Sequence, residues 1–266
     1  MLVLIKGAGD LATGTAIRLY RAGFTLVMTD IEKPTAVRRT VAFCQCIYDG
    51  AVTVEGITAR RAADAGEARR ILDRGEIPVL VDPAAEIRGE MKFDAVVDAI
   101  LAKKNIGTAI DDAPIVLALG PGFTAGVDCH GVVETMRGHD LGRLLTEGAA
   151  IPNTGVPGDI GGFSRERIIR AGADGPFEPV AEIGQTVRKG DVVARVNGVE
   201  TAAQLDGVVR GMLPAGLEVF QGMKSGDIDP RCEVRHCFTI SDKARAIGGG
   251  VLEGLLYFQR RNPAVG

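Results

Sequence analysis

Apolar residues come in short unbroken runs through the first part of the chain: Leu2–Lys6, residues 25–29, Ile77–Val81, residues 93–100 and Ile115–Leu119. Continuous runs, rather than alternating ones, predict strands buried on both faces, as in a parallel sheet. Between them the spacing turns helical. Residues 11–22 predict a helix stopped by Gly23, and residues 62–74 another stopped by Gly75. Strand, glycine turn, helix and strand in close succession make a βαβ unit. Its alternation across roughly the first 120 residues gives the α/β class.

Beyond about residue 161 the helical spacing disappears. Short β segments with glycine turns recur over 182–187 and 192–196, and are echoed over 206–213 and 216–222. Asn197-Gly198 between two of them predicts a tight hairpin. The helical period returns at Ser241 and runs to about Gln259, with Ser241 or Asp242 as N-cap. Gly248-Gly249-Gly250 inside this helix predicts a face lying flat against another element. The organisation expected is a Rossmann-like parallel sheet domain over 1–160, a small β barrel-sandwich-like domain over 161–240, and a C-terminal helix over 241–266 packing on the first domain.

Composition narrows the classes. With 46% hydrophobic residues, the 266-residue chain has material for a full core, which excludes a disordered tail. Basic and acidic residues nearly balance, 31 against 34, and Trp is absent. Neither nucleic-acid binding by counterion release nor a base-stacking surface fits. No apolar run is long enough for a bilayer span, and the N-terminus lacks the basic flank of a signal peptide. Five cysteines without a CxxC pair argue against a zinc ribbon or a thioredoxin site. They fit a reduced, cytoplasmic setting.

Two glycine turns carry candidate chemistry. Gly7-Ala8-Gly9-Asp10-Leu11-Ala12 fits G-x-G-x-x-G/A between a strand and a helix. Gly7 would allow the turn, Gly9 would admit a diphosphate, and Asp30 at the end of the next strand would accept ribose hydroxyls. An occupied site and a bare scaffold are both open, because Asp10 competes with a phosphate for the same donors. The second turn, Gly120-Pro121-Gly122, leads to Cys129, His130, Glu134, Arg137 and His139. Here His130, Glu134 and His139 are candidate proton-transfer groups, and Arg137 a fixed charge beside a ligand. His130 and Glu134 are expected on one face, next to the first glycine turn. Asn153 and Thr154 belong to a loop over 153–162 that either links domains or covers a ligand. Asp98 stands at a strand end; of the lysines after it, Lys104 is the candidate for anion contact and Lys103 reads as solvated. Cys44 and Cys46 are soft ligands or buried core. Met223-Lys224 resembles a carrier motif, but the expected hairpin tip, residues 196–200, has no lysine.

Taken together, Gly7 to Gly14, Pro34 to Phe43, Ala118 to Phe123, Glu134-Thr135-x-Arg137-Gly138-His139 and Lys224 to Arg231 resemble the selenium-dependent molybdenum hydroxylase system protein family. The N-terminal part is more distantly similar to the Rossmann domain of the xanthine dehydrogenase accessory factor. The 180–235 segment is similar to a lysine-free biotinyl/lipoyl-type barrel-sandwich. The resemblance implies a maturation factor for a molybdenum hydroxylase, binding the molybdenum cofactor or another nucleotide-bearing or pterin cofactor. On that reading Gly7, Gly9, Asp10, Asp30, Gly120, Gly122, Arg137, Asn153 and Thr154 hold the cofactor, with no metal ligands. The partners implied are a molybdenum hydroxylase and a small-molecule cofactor, with self-association left open and no nucleic acid or membrane. An NAD(P)-dependent oxidoreductase and a non-catalytic partner-binding module are the alternatives.

Overall fold

The computed structural model describes residues 1–156 and 158–262. Pro157 of the 153–162 loop, and residues 263–266 of the C-terminal segment, lie outside the described residues. The chain is mixed α/β, with a large, mainly parallel sheet and a long C-terminal helix. It divides into two compact units. The first holds Met1–Pro34, Ala42–Thr154 and Ile240–Gly266; the second holds Thr35–Val41 and Gly155–Thr239.

In the first unit β1 (Leu2–Lys6) leads through the glycine turn into α1 (Asp10–Arg21) and β2 (Thr25–Asp30). After the segment that belongs to the second unit, a 3₁₀ turn (Phe43–Gln45) and a short α2 (Cys46–Asp49) follow, then the hairpin β3 (Ala51–Val54) and β4 (Ile57–Ala62). Next come α3 (Ala65–Asp73), β5 (Ile77–Val81), β6 (Ala95–Asp98) and β7 (Ile115–Leu119). Short β8 (Thr124–Ala125), β9 (Gly131–Val133), β10 (Leu144–Leu145) and β11 (Gly148–Ala149) precede the second unit. The large sheet has the order β10-β9-β7-β6-β1-β2-β5-β4-β3, and only its two edge strands are antiparallel to their neighbours.

The apolar runs form the inner strands, as their lack of alternation predicts. On one face Leu4, Val27, Val96, Val116 and Val132 pack with Ala65, Ala68 and Ile71 of α3. The helix expected over 62–74 starts later, because Ala62 ends β4 and Asp64 caps α3 by accepting from the Glu67 N–H at 2.7 Å. The other face carries the C-terminal helix α4 (Asp242–Gln259), capped by Ser241 through the Ala244 N–H at 3.1 Å. Its glycines serve close packing: a Cβ at Gly248 would lie 3.0 Å from the Gly14 carbonyl oxygen of α1.

Among the described residues the second unit is β apart from two 3₁₀ turns, Arg39–Val41 and Val234–Cys237. It contains β12 (Ile168–Arg170), β13 (Gly175–Pro179), β14 (Thr186–Val187), β15 (Val192–Val196), β16 (Val199–Ala202), β17 (Gly207–Met212), β18 (Glu218–Val219) and β19 (Lys224–Asp229). They form two four-stranded sheets, β12-β19-β17-β14 and β16-β15-β13-β18. Phe177, Val193, Val196, Val209, Met212 and Ile228 fill the core. Asn197-Gly198 makes the expected hairpin turn, with φ of +49° and +78°. Both positive angles match the tight turn that suits twisted strands. The segment Thr35–Val41 was not distinguished in the sequence. It reaches into this unit, where the Met212 N–H donates to the Val37 carbonyl at 2.7 Å. No helix among the described residues is long and apolar enough to cross a membrane.

Candidate functional site

Parallel strands bring their carboxyl ends to one edge of the sheet. Lys6 and Asp98, the last residues of β1 and β6, are register partners there. Both are buried, and the Lys6 Nζ lies 3.9 Å from the Asp98 carboxylate. The Thr108 hydroxyl joins them: it accepts from Lys6 Nζ at 2.6 Å and donates to Asp98 Oδ2 at 2.6 Å. Burial pushes the Lys6 ammonium below its ordinary range, against the pull of Asp98. The loop between Asp98 and Thr108 is stapled by Asn105, whose Oδ1 accepts from the N–H groups of Gly107 and Thr108. Leu101 and Lys103 in this loop adopt left-handed backbone, with φ of +62° and +65°. Non-glycine residues in that region mark strain held by their surroundings.

Most of the glycines singled out in the sequence make room for this loop or its neighbours. Gly7 has φ +91°, and a Cβ there would lie 2.9 Å from the Ala99 carbonyl oxygen. A Cβ at Gly122 would lie 2.6 Å from the Lys104 Cα, and one at Gly120 would collide with the Thr135 hydroxyl. Gly9 differs. It is the N-cap of α1, has no side chain to cap the helix, and a Cβ there would meet nothing within 4 Å. The open side of the turn is therefore at Gly9, facing the uncapped N–H groups of a twelve-residue helix.

Two lysines lie within electrostatic range of one another. Lys103 belongs to the strained loop and Lys243 to the first turn of α4. Neither ammonium has a hydrogen bond or ion pair within the described residues. Burial pushes Lys243 below the usual lysine range; Lys103 and Arg137 add to this, while Asp10 and Glu134 oppose it. Lys103 is exposed, yet desolvation still lowers it. Lys6, Thr108 and Lys243 carried no sequence signal beyond a strand end, a loop and a helix start.

The other candidates are placed as follows. The Asp30 carboxylate is engaged by backbone N–H groups, one on each oxygen. Its Oδ2 accepts from the Ala8 N–H and its Oδ1 from the Ile31 N–H, each at 2.8 Å, and burial raises its pKa against those bonds. Glu134 is buried and accepts from three backbone groups: Thr135 N–H at 2.7 Å, Met136 N–H at 2.6 Å and Ile151 N–H at 2.8 Å. Arg137 makes a two-point ion pair with Asp242 at 2.8 and 3.0 Å. His130 is not brought to this edge. It precedes β9, whose end leads to Glu134, and its Nδ1 accepts from the Val116 N–H at 3.0 Å. Its ring packs 5.7 Å from that of Phe258, and burial lowers its pKa. A strand between them keeps the two groups apart, whatever face they share. His139 is exposed in a shallow surface depression with Asp140 to Arg143. Asn153 and Thr154 are exposed at the end of the first unit's middle segment.

Cys44 and Cys46 lie in the turn and short helix after β2, not on a strand. Both are buried; burial raises Cys44 well above the thiol range and Cys46 to about 12. They are protonated core residues. No group of three metal-ligating side chains occurs among the described residues.

No protein-family model matches the chain. It is 55% identical over 255 residues to an uncharacterized protein, YqeB, of Escherichia coli strain K12. The match covers 96% of this chain and 47% of that protein, so the chain spans about half the length of its relative. Among solved structures, an aspartoacylase family protein from Mesorhizobium loti is similar at 13% identity, covering 85% of this chain and 84% of the other, with a TM-score of 0.29. A succinylglutamate desuccinylase from Silicibacter sp. TM1040 follows at 15% identity, 85% and 84% coverage and a TM-score of 0.26. The ectoine utilization protein EutE (DoeB) from Ruegeria pomeroyi gives 14%, with 77% and 57% coverage and a TM-score of 0.23. Such TM-scores carry no inference about the fold or activity of this chain.

These findings correct the resemblance drawn from the motifs. The relative matched over nearly the whole chain is an uncharacterized protein and carries no molybdenum hydroxylase assignment. The maturation role, the hydroxylase partner and the NAD(P)-dependent alternative are set aside with it. The backbone bonds on Asp30 and the remote His130 weaken the dehydrogenase reading at two of its residues; His139, its other candidate acid/base, is exposed at the surface.

Proposed function

We propose that the first unit is a Rossmann-type module that binds a phosphate-bearing small molecule at the carboxyl edge of its sheet. The strand order supports the fold reading. The chain moves from β1 outward to β2 and then returns to place β6 on the other side of β1. Ligands of open α/β sheets sit at such a reversal. Lys6, Asp98 and the strained loop stand at that point. We read the second unit as a lysine-free barrel-sandwich: its sheets come from echoing halves, its Asn197-Gly198 hairpin tip lacks a lysine, and Lys224 begins β19.

The observation that carries the ligand class is the Lys103–Lys243 pair. Each ammonium lacks a hydrogen bond or ion pair among the described residues and is weakened by desolvation, and Lys103 weakens Lys243 further, within electrostatic range of Asp10 at the start of α1. An oxyanion between them relieves the repulsion and uses the helix N–H groups. Titration calorimetry with inorganic pyrophosphate and nucleoside diphosphates tests the reading. Lys103→Met and Lys243→Met should each weaken binding at least about tenfold, as expected for a charge-assisted contact. Unchanged affinity in both folded variants defeats the proposal.

A further inference from the structure

The second unit contains a polar cluster that nothing above uses. Asp227 and Asp229 alternate onto one face of β19 and are buried, and two arginines reach them from the strands on either side. Arg167, just before β12, donates its Nη1 to Asp227 at 3.0 Å. Arg210 sits where β17 and β19 slip register, between the pairs Val209↔Ile228 and Gly211↔Asp227. Such an irregularity re-aims a side chain. It turns Arg210 into the sheet face, 6% exposed, with its Nη1 3.9 Å from Asp227 and its Nε 3.7 Å from Asp229. Asp229 is already taken: Arg231 grips both of its oxygens, at 2.9 and 2.6 Å.

Three buried nitrogen atoms here have no hydrogen-bond partner: Arg167 Nε, Arg210 Nε and His236 Nδ1. An arginine Nε–H is an obligate donor that neither flips nor loses its proton. Two such groups, on side chains nine-tenths buried, are rare in native interiors and point to an absent acceptor. His236 lies in the same field. Desolvation pushes its imidazole down, and Arg231, Arg235 and Arg210 push it further, against Asp229.

We propose that this face of the second unit binds a small tetrahedral oxyanion, phosphate or sulfate, through the Nε–H groups of Arg167 and Arg210, with His236 Nδ1 as a further contact. The donors come from three different segments and not from one guanidinium, which suits a compact anion better than the flat fork that a carboxylate takes. Asp227 holds the Arg167 guanidinium through Nη1 and leaves its Nε–H for the ligand, while the Arg210 Nε–H lies 3.7 Å from Asp229, too far to be satisfied by it.

The test uses the full chain carrying Lys103→Met and Lys243→Met, so that the lysine site of the first unit does not contribute. Phosphate, sulfate and formate are titrated by calorimetry, and the arginine Nε–H signals are followed by nitrogen-resolved NMR. Saturable binding of phosphate or sulfate, with movement of two buried Nε–H signals, is expected. Arg167→Lys keeps the charge on Asp227 but deletes the Nε donor, and should weaken binding at least about tenfold. Arg210→Lys should do the same; if it does not fold, Arg167→Lys decides alone. No saturable binding, Nε–H signals that exchange with water and ignore the anions, formate binding as well as phosphate, or unchanged affinity in folded Arg167→Lys overturns the proposal. Failure of this site leaves the lysine site of the first unit untouched, since that site is absent from the tested chain.

Discussion

Lys6 and Asp98 end neighbouring parallel strands, and the Thr108 hydroxyl joins the ammonium to the carboxylate through two bonds of 2.6 Å. The residue that closes the strained loop is thus tied to the sheet by two buried charges. Removing one charge leaves the other without compensation in a region of low dielectric, at a cost of about 3–5 kcal/mol. Lys6→Met should lose stability of that order in urea denaturation. Lys6→Met combined with Asp98→Asn should lose less than the sum of the single changes. Additive losses would mean that the two groups do not interact.

The lysine pair predicts a pH dependence with a definite sign. In the folded protein Lys243 lies below its ordinary value, so folding disfavours its charged form. Stability therefore rises with pH from the depressed folded value up to the unfolded value near 10.5. A bound oxyanion favours the ammonium and reverses the shift. Affinity should fall as pH rises through the depressed value, and binding there should take up protons. Calorimetry in buffers of different ionisation enthalpy measures that uptake. Lys243→Met should abolish both effects and leave the unliganded protein no less stable.

Gly7 and Gly9 occupy one motif but should respond oppositely. Gly7→Ala forces a side chain onto φ +91° and against the Ala99 carbonyl, so it should destabilise by a few kcal/mol. Gly9 has ordinary φ of −68° and open space around its missing Cβ. Gly9→Val should keep stability within about 1 kcal/mol, while obstructing the approach of a phosphate to α1. Thermal melts and pyrophosphate titration of the two variants separate these outcomes. Normal affinity in Gly9→Val would take the ligand away from this turn.

The same contrast explains how far the sequence could be read. The runs around Leu4, Val27, Val79, Val96 and Leu117 announced the inner strands, because burial on both faces leaves no polar alternation. Asn197-Gly198 and Ser241 announced a turn and a cap through local chemistry. The candidate site was hidden because its members come from distant segments with no local pattern. Lys103 stands in a loop whose shape depends on Asn105 and on the Gly122 contact, and Lys243 starts a helix about 140 residues later. Glycine spacing gave the turn but not its occupant: only packing shows that Gly7, Gly120 and Gly122 admit protein and Gly9 admits space. The β3–β4 hairpin went unread, because Thr58-Ala59-Arg60-Arg61 mixes small and charged residues at a sheet edge.

Glu134 tests whether a buried carboxylate at the sheet edge acts on a ligand or on the backbone. Its two oxygens accept three N–H groups, two from the residues that follow it and one from Ile151. A carboxylate suits this task because all its lone pairs accept. Glutamine has one oxygen, and its amide can only confront a donor. The amide that keeps its oxygen on Thr135 and Met136 must turn its NH₂ toward the Ile151 N–H. Glu134→Gln should therefore lose at least one charge-assisted bond, about 1.5–3 kcal/mol. Hydrogen exchange should quicken at Ile151 and stay slow at Thr135 and Met136. Pyrophosphate affinity, measured where the variant is fully folded, should change less than threefold. Affinity lost out of proportion to stability, with Ile151 still protected, would make Glu134 a ligand-binding group instead.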